Sequence, residues 1–145
     1  MRVLIQRVRS ASVKVDGQII GQIGNGLLAL VGITHSDTDA TVKYLADRCV
    51  KLRIFEDENG KMNRSLLDVQ GEMLIVSQFT LYGDTVKGRR PGFDAAAKPQ
   101  QAEELYEKFI AEVKEFDVKT ATGKFAAEML VALENDGPVT FMLEK

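Results

Sequence analysis

Apolar and polar positions along the chain follow two periods, near 2 in some segments and near 3.6 in others, and these periods sort it into elements. Arg2–Val8 alternates loosely and predicts a strand. Ser12–Val15 and Gln18–Ile23 flank Asp16-Gly17, a pair that supplies the positive φ angles of a type I′ turn, and so predict a hairpin. Gly24-Asn25-Gly26 turns the chain into Leu27–Ile33, an unbroken apolar run with the character of a central strand. Val42, Leu45, Ala46, Cys49 and Val50 then recur at helical spacing. Ser36-Asp37-Thr38-Asp39 before them offers capping side chains and negative charge at the positive end of the helix dipole. Leu52–Phe55 predicts a short strand, and Asn59-Gly60 is a second hairpin signal. Pro99 opens a second helix, whose stripe is Ala102, Leu105, Tyr106, Phe109, Ile110 and Val113. Val118–Thr122, Met129–Leu133 and Val139–Leu143 predict the remaining strands, the last two joined as a hairpin.

Two helices among about eight short strands argue for an α+β fold with a mixed, largely antiparallel sheet in barrel-like layers. Both helices are expected on one face, which leaves the other for a pocket or a partner. No internal repeat or linker divides the chain, so residues 1–145 are expected to form one domain.

One strand breaks its own pattern. Met73–Val76 is apolar and β-branched, and the chain then turns polar at Ser77, Gln78 and Thr80 around Phe79. Each unpaired buried polar group costs about 1–3 kcal/mol, so this end is expected where the sheet opens onto a pocket. Continued alternation puts Gln78 and Thr80 on one face and Ser77 and Phe79 on the other.

Composition narrows the chemistry. The single histidine and single cysteine of this chain permit neither an internal disulfide nor a thiolate–imidazole metal cluster, and no metal or cofactor is expected. Cys49 lies on a helical stripe and reads as core; His35 reads as an exposed loop residue with no nucleophile near it. No apolar run reaches membrane-spanning length and Met1–Gln6 lacks a signal segment, so a cytoplasmic protein without a membrane partner is expected. A net charge of −2 gives no global attraction to nucleic acid, so any such contact must be a local patch. Lys87-Gly88-Arg89-Arg90-Pro91-Gly92-Phe93 offers one, as a phosphate contact or as a solvated turn. In Asn135-Asp136-Gly137-Pro138 the Gly-Pro bond is open to both isomers, the cis form costing only about 0.5–1 kcal/mol. Cis would aim two successive carbonyls the same way, as an acceptor pair for an ammonium group.

Ser77-Gln78-Phe79-Thr80 followed by Asn135-Asp136-Gly137-Pro138-Val139-Thr140 resembles the D-aminoacyl-tRNA deacylase family. The likeness runs the whole chain, including Met1–Val8 at the start and Pro138–Phe141 near the end. It implies hydrolysis of the ester joining a D-amino acid, or glycine mischarged on tRNA(Ala), to the 3′-terminal adenosine of tRNA, with L-aminoacyl-tRNA spared. It implies that Ser77, Gln78, Phe79 and Thr80 line the reaction site, with Phe125 and Met129 around the adenine. It also implies a homodimer in which Gly137 and Pro138, joined by a cis bond in the segment from Asn135 to Thr140, cross into the partner's site and exclude L side chains. Lys87, Arg89 and Arg90 would meet the tRNA backbone. The family pattern has glycine after the phenylalanine at 125, where this chain has Ala126. The mechanism implied is RNA-assisted: the terminal 2′-hydroxyl activates water and backbone N–H groups near Phe79 and Thr80 hold the oxyanion. Nucleophilic attack by Thr80 is the alternative, and a non-catalytic nucleic-acid-binding dimer is a rival class. A serine esterase built on Ser77 lacks both the Gly-x-Ser-x-Gly elbow and a histidine to serve it.

Overall fold

Two long strands paired along their length carry the architecture. The computed structural model describes residues 1–86 and 88–145. In order the elements are β1 (Arg2–Val15), β2 (Gln18–Ile23), β3 (Gly26–Gly32), α1 (Asp39–Lys51), β4 (Phe55–Glu56), β5 (Met62–Arg64), β6 (Glu72–Ser77), a 3₁₀ helix (Phe79–Tyr82), α2 (Pro99–Lys114), β7 (Thr120–Thr122) and β8 (Leu130–Glu144).

The main sheet runs β2-β1-β3-β6-β7, with β8 paired to β1. β1 pairs antiparallel with β2, β3 and β8, whereas β3–β6 and β6–β7 are parallel. This is the expected mixed α+β fold, and it curls nearly into a barrel. β3 and the Met73–Val76 stretch of β6 are apolar because both their faces are covered. Leu27, Ala29, Val31, Met73 and Ile75 join the core beneath the helices, with Leu45, Cys49, Leu105, Tyr106 and Phe109. Leu28, Leu74 and Val76 face the other way and meet Val8, Ala11, Val13 and Ile23, where β1 and β2 fold over the sheet. Both helices lie on one side, as the stripes require. Thr38 caps α1 reciprocally with Thr41, and Pro99 stands in the first turn of α2. Asp16 and Gly17 take the positive φ values, 50° and 77°, that the first hairpin requires. Among the described residues no helix is long and apolar enough to cross a membrane.

Three expectations give way. Arg2–Val8 and Ser12–Val15 are one strand, because the polar residues between them are paired across to β8: Ser10 Oγ donates to Glu134 at 3.0 Å and Arg9 Nε to Asp136 at 3.2 Å. Leu52–Phe55 is not a strand. Leu52 caps α1, Ile54 seals the core, and pairing begins only at Phe55. Finally, Met129–Leu133 and Val139–Leu143 do not form a hairpin but belong to the single strand β8, in register with β1 on both sides of a bulge. The turn residues between them supply that bulge.

The near-closure has a seam where β2 meets β7. A Cβ on Gly21 would lie 2.7 Å from the Thr122 carbonyl oxygen and 3.2 Å from Val13 Cγ1, so only glycine allows this approach. Gly24, in the adjoining turn, has open space around it. Gly21→Ala is therefore expected to cost about 1–3 kcal/mol in urea unfolding, as overpacking does, and Gly24→Ala much less. Equal small losses would mean that the seam is not a packed contact.

Candidate active site

β3 and β6 end side by side, and their carboxyl ends form one wall of a cavity of about 710 Å³. That volume is within the usual range for a small-molecule site, about 300–1,000 Å³. The last backbone bond between the strands runs from the Gln78 N–H to the Val31 carbonyl at 2.7 Å. Past it the chain coils into the 3₁₀ helix, closed by Leu81 N–H on Gln78 O at 3.2 Å and Gly83 N–H on Thr80 O at 3.0 Å. Alternation therefore stops at Ser77, and Gln78 and Thr80 do not share a strand face. The Gln78 carboxamide donates instead to the Thr80 hydroxyl across the helix start. Arg2 holds the far end, donating to Leu81 O at 2.8 Å with its guanidinium 4.6 Å from the Tyr82 ring centre. The N–H groups of Phe79 and Thr80 begin this turn and have no backbone acceptor among the described residues.

Ser77, Gln78 and Phe79 line the cavity, so the polar end of the strand does open onto a pocket; Thr80 is not among the lining residues. Phe125 and Met129 form part of the opposite wall. Phe125 packs against Tyr106 with ring centres 6.0 Å apart, and the Tyr106 hydroxyl donates to Ile75 O at 2.8 Å. Burial pushes that phenol's pKa up, which keeps it a neutral donor. Ala126, also on the wall, has φ +56°. An L-residue there costs about 1–2 kcal/mol. A glycine would stand there without strain, whereas the alanine adds a methyl to the wall.

The third side is the segment Phe93–Pro99, tied to the end of β3. Ala97 N–H donates to Ile33 O at 2.9 Å and Thr34 Oγ1 to Ala95 O at 2.6 Å. His35, exposed as expected, meets Asp94 O through Nε2 at 2.7 Å. Phe93, Ala96 and Ala97 had no signal of their own, since only tertiary contact brings that segment to the strand ends. Lys98 alone among the described lining residues carries a titratable side chain. Cys49 is no nucleophile: burial within the helical core raises its pKa to about 12. Among the described residues no group of three His, Cys, Asp or Glu is placed to hold a metal.

The second motif stands apart. Gln6 pairs with Thr140 and Val8 with Asn135, so Arg7 alone faces residues 136–139, which bulge out of β8. Arg7 is buried and organises the bulge, donating to Asp136 O at 2.9 Å and to Ile54 O at 2.7 Å. Asn135 accepts the Val139 N–H at 2.7 Å and donates to Thr140 Oγ1 at 2.9 Å. Gly137, at φ +133°, leaves no room for a side chain: a Cβ would lie 2.7 Å from Val139 Cγ2 and 3.1 Å from Arg7 Nη2. The Gly137-Pro138 bond, which residue chemistry alone cannot assign and the family resemblance implies to be cis, is cis. Both residues are exposed, and neither they nor Asn135 and Thr140 line the cavity of their own chain. Arg7 was missed because one arginine in an alternating strand reads as a solvent-facing position. Arg89 and Arg90 are exposed on a loop closed by mutual backbone bonds between Asp84 and Gly92, at 2.8 and 2.9 Å; Lys87 lies outside the described residues.

Fold and site thus define a small α+β near-barrel with an apolar cavity at the ends of two parallel strands. The solved structure of a probable eukaryotic D-amino acid tRNA deacylase shares this fold, with a TM-score of 0.84 over 98% of this chain and 97% of that one, at 20% identity. The D-Tyr-tRNA(Tyr) deacylase family profile matches residues 4–144. The chain belongs to that family and is a hydrolase of that class. It is 57% identical over 99% of its length to a D-aminoacyl-tRNA deacylase of Clostridioides difficile, covering 97% of that relative. It is 59% identical over its whole length to the protein so named from Exiguobacterium sibiricum, covering all of it. A second solved structure, that of a c-Myc DNA unwinding element binding protein, is 41% identical, with a TM-score of 0.94 over 100% of this chain and 99% of that one.

Removing the Arg7 guanidinium leaves two carbonyls without their donor. Arg7→Met is expected to cost about 2–5 kcal/mol in urea unfolding. Arg9 also pairs with Asp136 but is exposed, so Arg9→Met is expected to cost less than about 1 kcal/mol. Similar losses from both would show that the bulge does not depend on Arg7.

Proposed function

We propose that residues 1–145 are one deacylase domain that cleaves the ester of D-aminoacyl-tRNA and spares L-aminoacyl-tRNA. The observation that carries this is a cavity with a polar strand end, Ser77-Gln78-Phe79, and no carboxylate, imidazole or thiol among its described lining residues. Such a site positions a substrate and stabilises charge, and among its described lining residues only Lys98 is of a type that can act as a base. The substrate's terminal 2′-hydroxyl then activates the water. The N–H groups of Phe79 and Thr80 receive the developing oxyanion, the kind of fixed donor that carries much of an acyl-transfer barrier. Phe125 and Met129 hold the adenine. Thr80, engaged by Gln78, is a neighbour and not the nucleophile.

In this reading the protein is a homodimer. Gly137 and Pro138 are exposed and away from their own chain's cavity, and β8, paired among the described residues only with β1, exposes Leu130, Phe141 and Met142. A two-fold contact lets each chain give and receive the bulge. The backbone of the partner's bulge, framed by Asn135 and Thr140, occupies the space of an L side chain, so selection follows chirality and not side-chain identity. Glycine, with no side chain to exclude, is cleaved as well. Arg89 and Arg90 meet the tRNA backbone, and the protein works in the cytoplasm. The 41%-identical structure belongs to a protein named for binding DNA, which favours one other reading, nucleic-acid binding without turnover.

The test is one tRNA charged in turn with D-Tyr, L-Tyr, D-Asp, L-Asp and Gly, following release of free amino acid. Both D-substrates and glycine should be cleaved, and both L-substrates spared. Retention of charged tRNA without release would favour the binding reading, and cleavage of a single D-side chain would place specificity in a side-chain pocket.

A further inference from the structure

Two exposed aromatic rings meet at the cavity. Phe79 is 56% exposed and Phe93 40% exposed, though both line the cavity wall. Their centres are 5.0 Å apart and their planes inclined at 63°, an edge-to-face pair. In such a pair one ring presents its edge to the other's face, so the pair leaves aromatic face that the two rings do not cover for each other. A cavity of about 710 Å³ accommodates a single ligand, which in the deacylase reading is the aminoacyl end on its adenosine. The RNA chain must then leave past the rim. Arg89 and Arg90 stand in the loop directly before Phe93, exposed, on a chain whose net charge is −2. Aromatic faces beside local positive charge are how proteins hold single-stranded nucleic acid: bases stack while the charge follows the backbone.

We infer that Phe93, braced edge-to-face by Phe79, is the stacking platform for the nucleobase immediately 5′ of the terminal adenosine. This rests on the deacylase reading above and adds a contact outside the reacting ester. Phe125 and Met129, on a different segment of the wall, remain with the terminal adenine. The platform lets the enzyme grip an unpaired acceptor end without reading its sequence, since every base has a π-face.

The experiment is a two-by-two comparison on D-aminoacyl-tRNA: wild type and Phe93→Ala, each with an intact substrate and with one carrying an abasic nucleotide next to the terminal adenosine. Wild type should lose about ten-fold or more in kcat/KM on the abasic substrate, mostly through KM, as loss of one stacked base implies. Phe93→Ala should lose about as much on the intact substrate and little further on the abasic one. Phe93→Trp should restore most of the loss, which a structural role of the loop would not allow. If wild type is indifferent to the abasic nucleotide, the inference is overturned whatever the variant does. An equal loss from Phe93→Ala on both substrates would overturn it too, by making Phe93 part of the cavity's structure. A wild type that cleaves neither substrate would instead overturn the deacylase reading, and this inference with it.

Discussion

Parallel pairing of β3 with β6, dry on both faces, is the constraint on which the rest of the molecule depends. One face is filled by the helices and the other by the fold-over of β1 and β2. Leu30 apart, the interior residues of both strands are buried, so these two strands meet water mainly where they end. The rung from Gln78 to Val31 marks that end, and the next residues coil into a tight turn. The cavity lies there because the strands stop there, and the N–H groups of Phe79 and Thr80 lack a backbone acceptor among the described residues because a helical turn begins there. Packing and candidate chemistry thus share one origin.

A second constraint acts at the middle of β1. Arg7 faces four residues of β8 where one would fit, and its guanidinium satisfies carbonyls from two different segments. The bulge is held from beneath by a buried charge and from within by Asn135 and Thr140. That support gives a short exposed segment a defined shape without a hairpin. An exposed bulge held by these bonds, on a strand that among the described residues pairs only with β1, suits insertion into a second copy, the role proposed for it.

Much of this was legible in the sequence where local rules decide. The Asp16-Gly17 turn, the Thr38 and Pro99 helix starts and the doubly buried runs of β3 and β6 all follow from residue type and spacing. The polar end at Ser77–Phe79 was legible as a site because polar groups at the end of a buried strand need a reason. Legibility failed where tertiary pairing overrides local signals. Arg9-Ser10 looked like a break between strands, and Asn135–Thr140 looked like a hairpin, because neither signal registers that β1 and β8 lie together for their whole length. Arg7 and Phe93 were lost for the same reason: their partners are distant in the chain. Ala126 is an intermediate case. Its difference from the family pattern is visible in the residue itself, but only the backbone, at positive φ, explains what glycine would do there.

The central claim is that the protein supplies shape and backbone donors while the substrate supplies the group that activates water. The most direct measurement compares Thr80→Ala on normal D-aminoacyl-tRNA with wild type on the same tRNA ending in a 2′-deoxy adenosine. Single-turnover rates separate chemistry from release. The account predicts measurable turnover by Thr80→Ala and a loss of about a hundred-fold or more on the deoxy substrate, the scale of a general acid–base contribution. An inactive Thr80→Ala together with normal cleavage of the deoxy substrate would contradict it and return the chemistry to the protein's own hydroxyl.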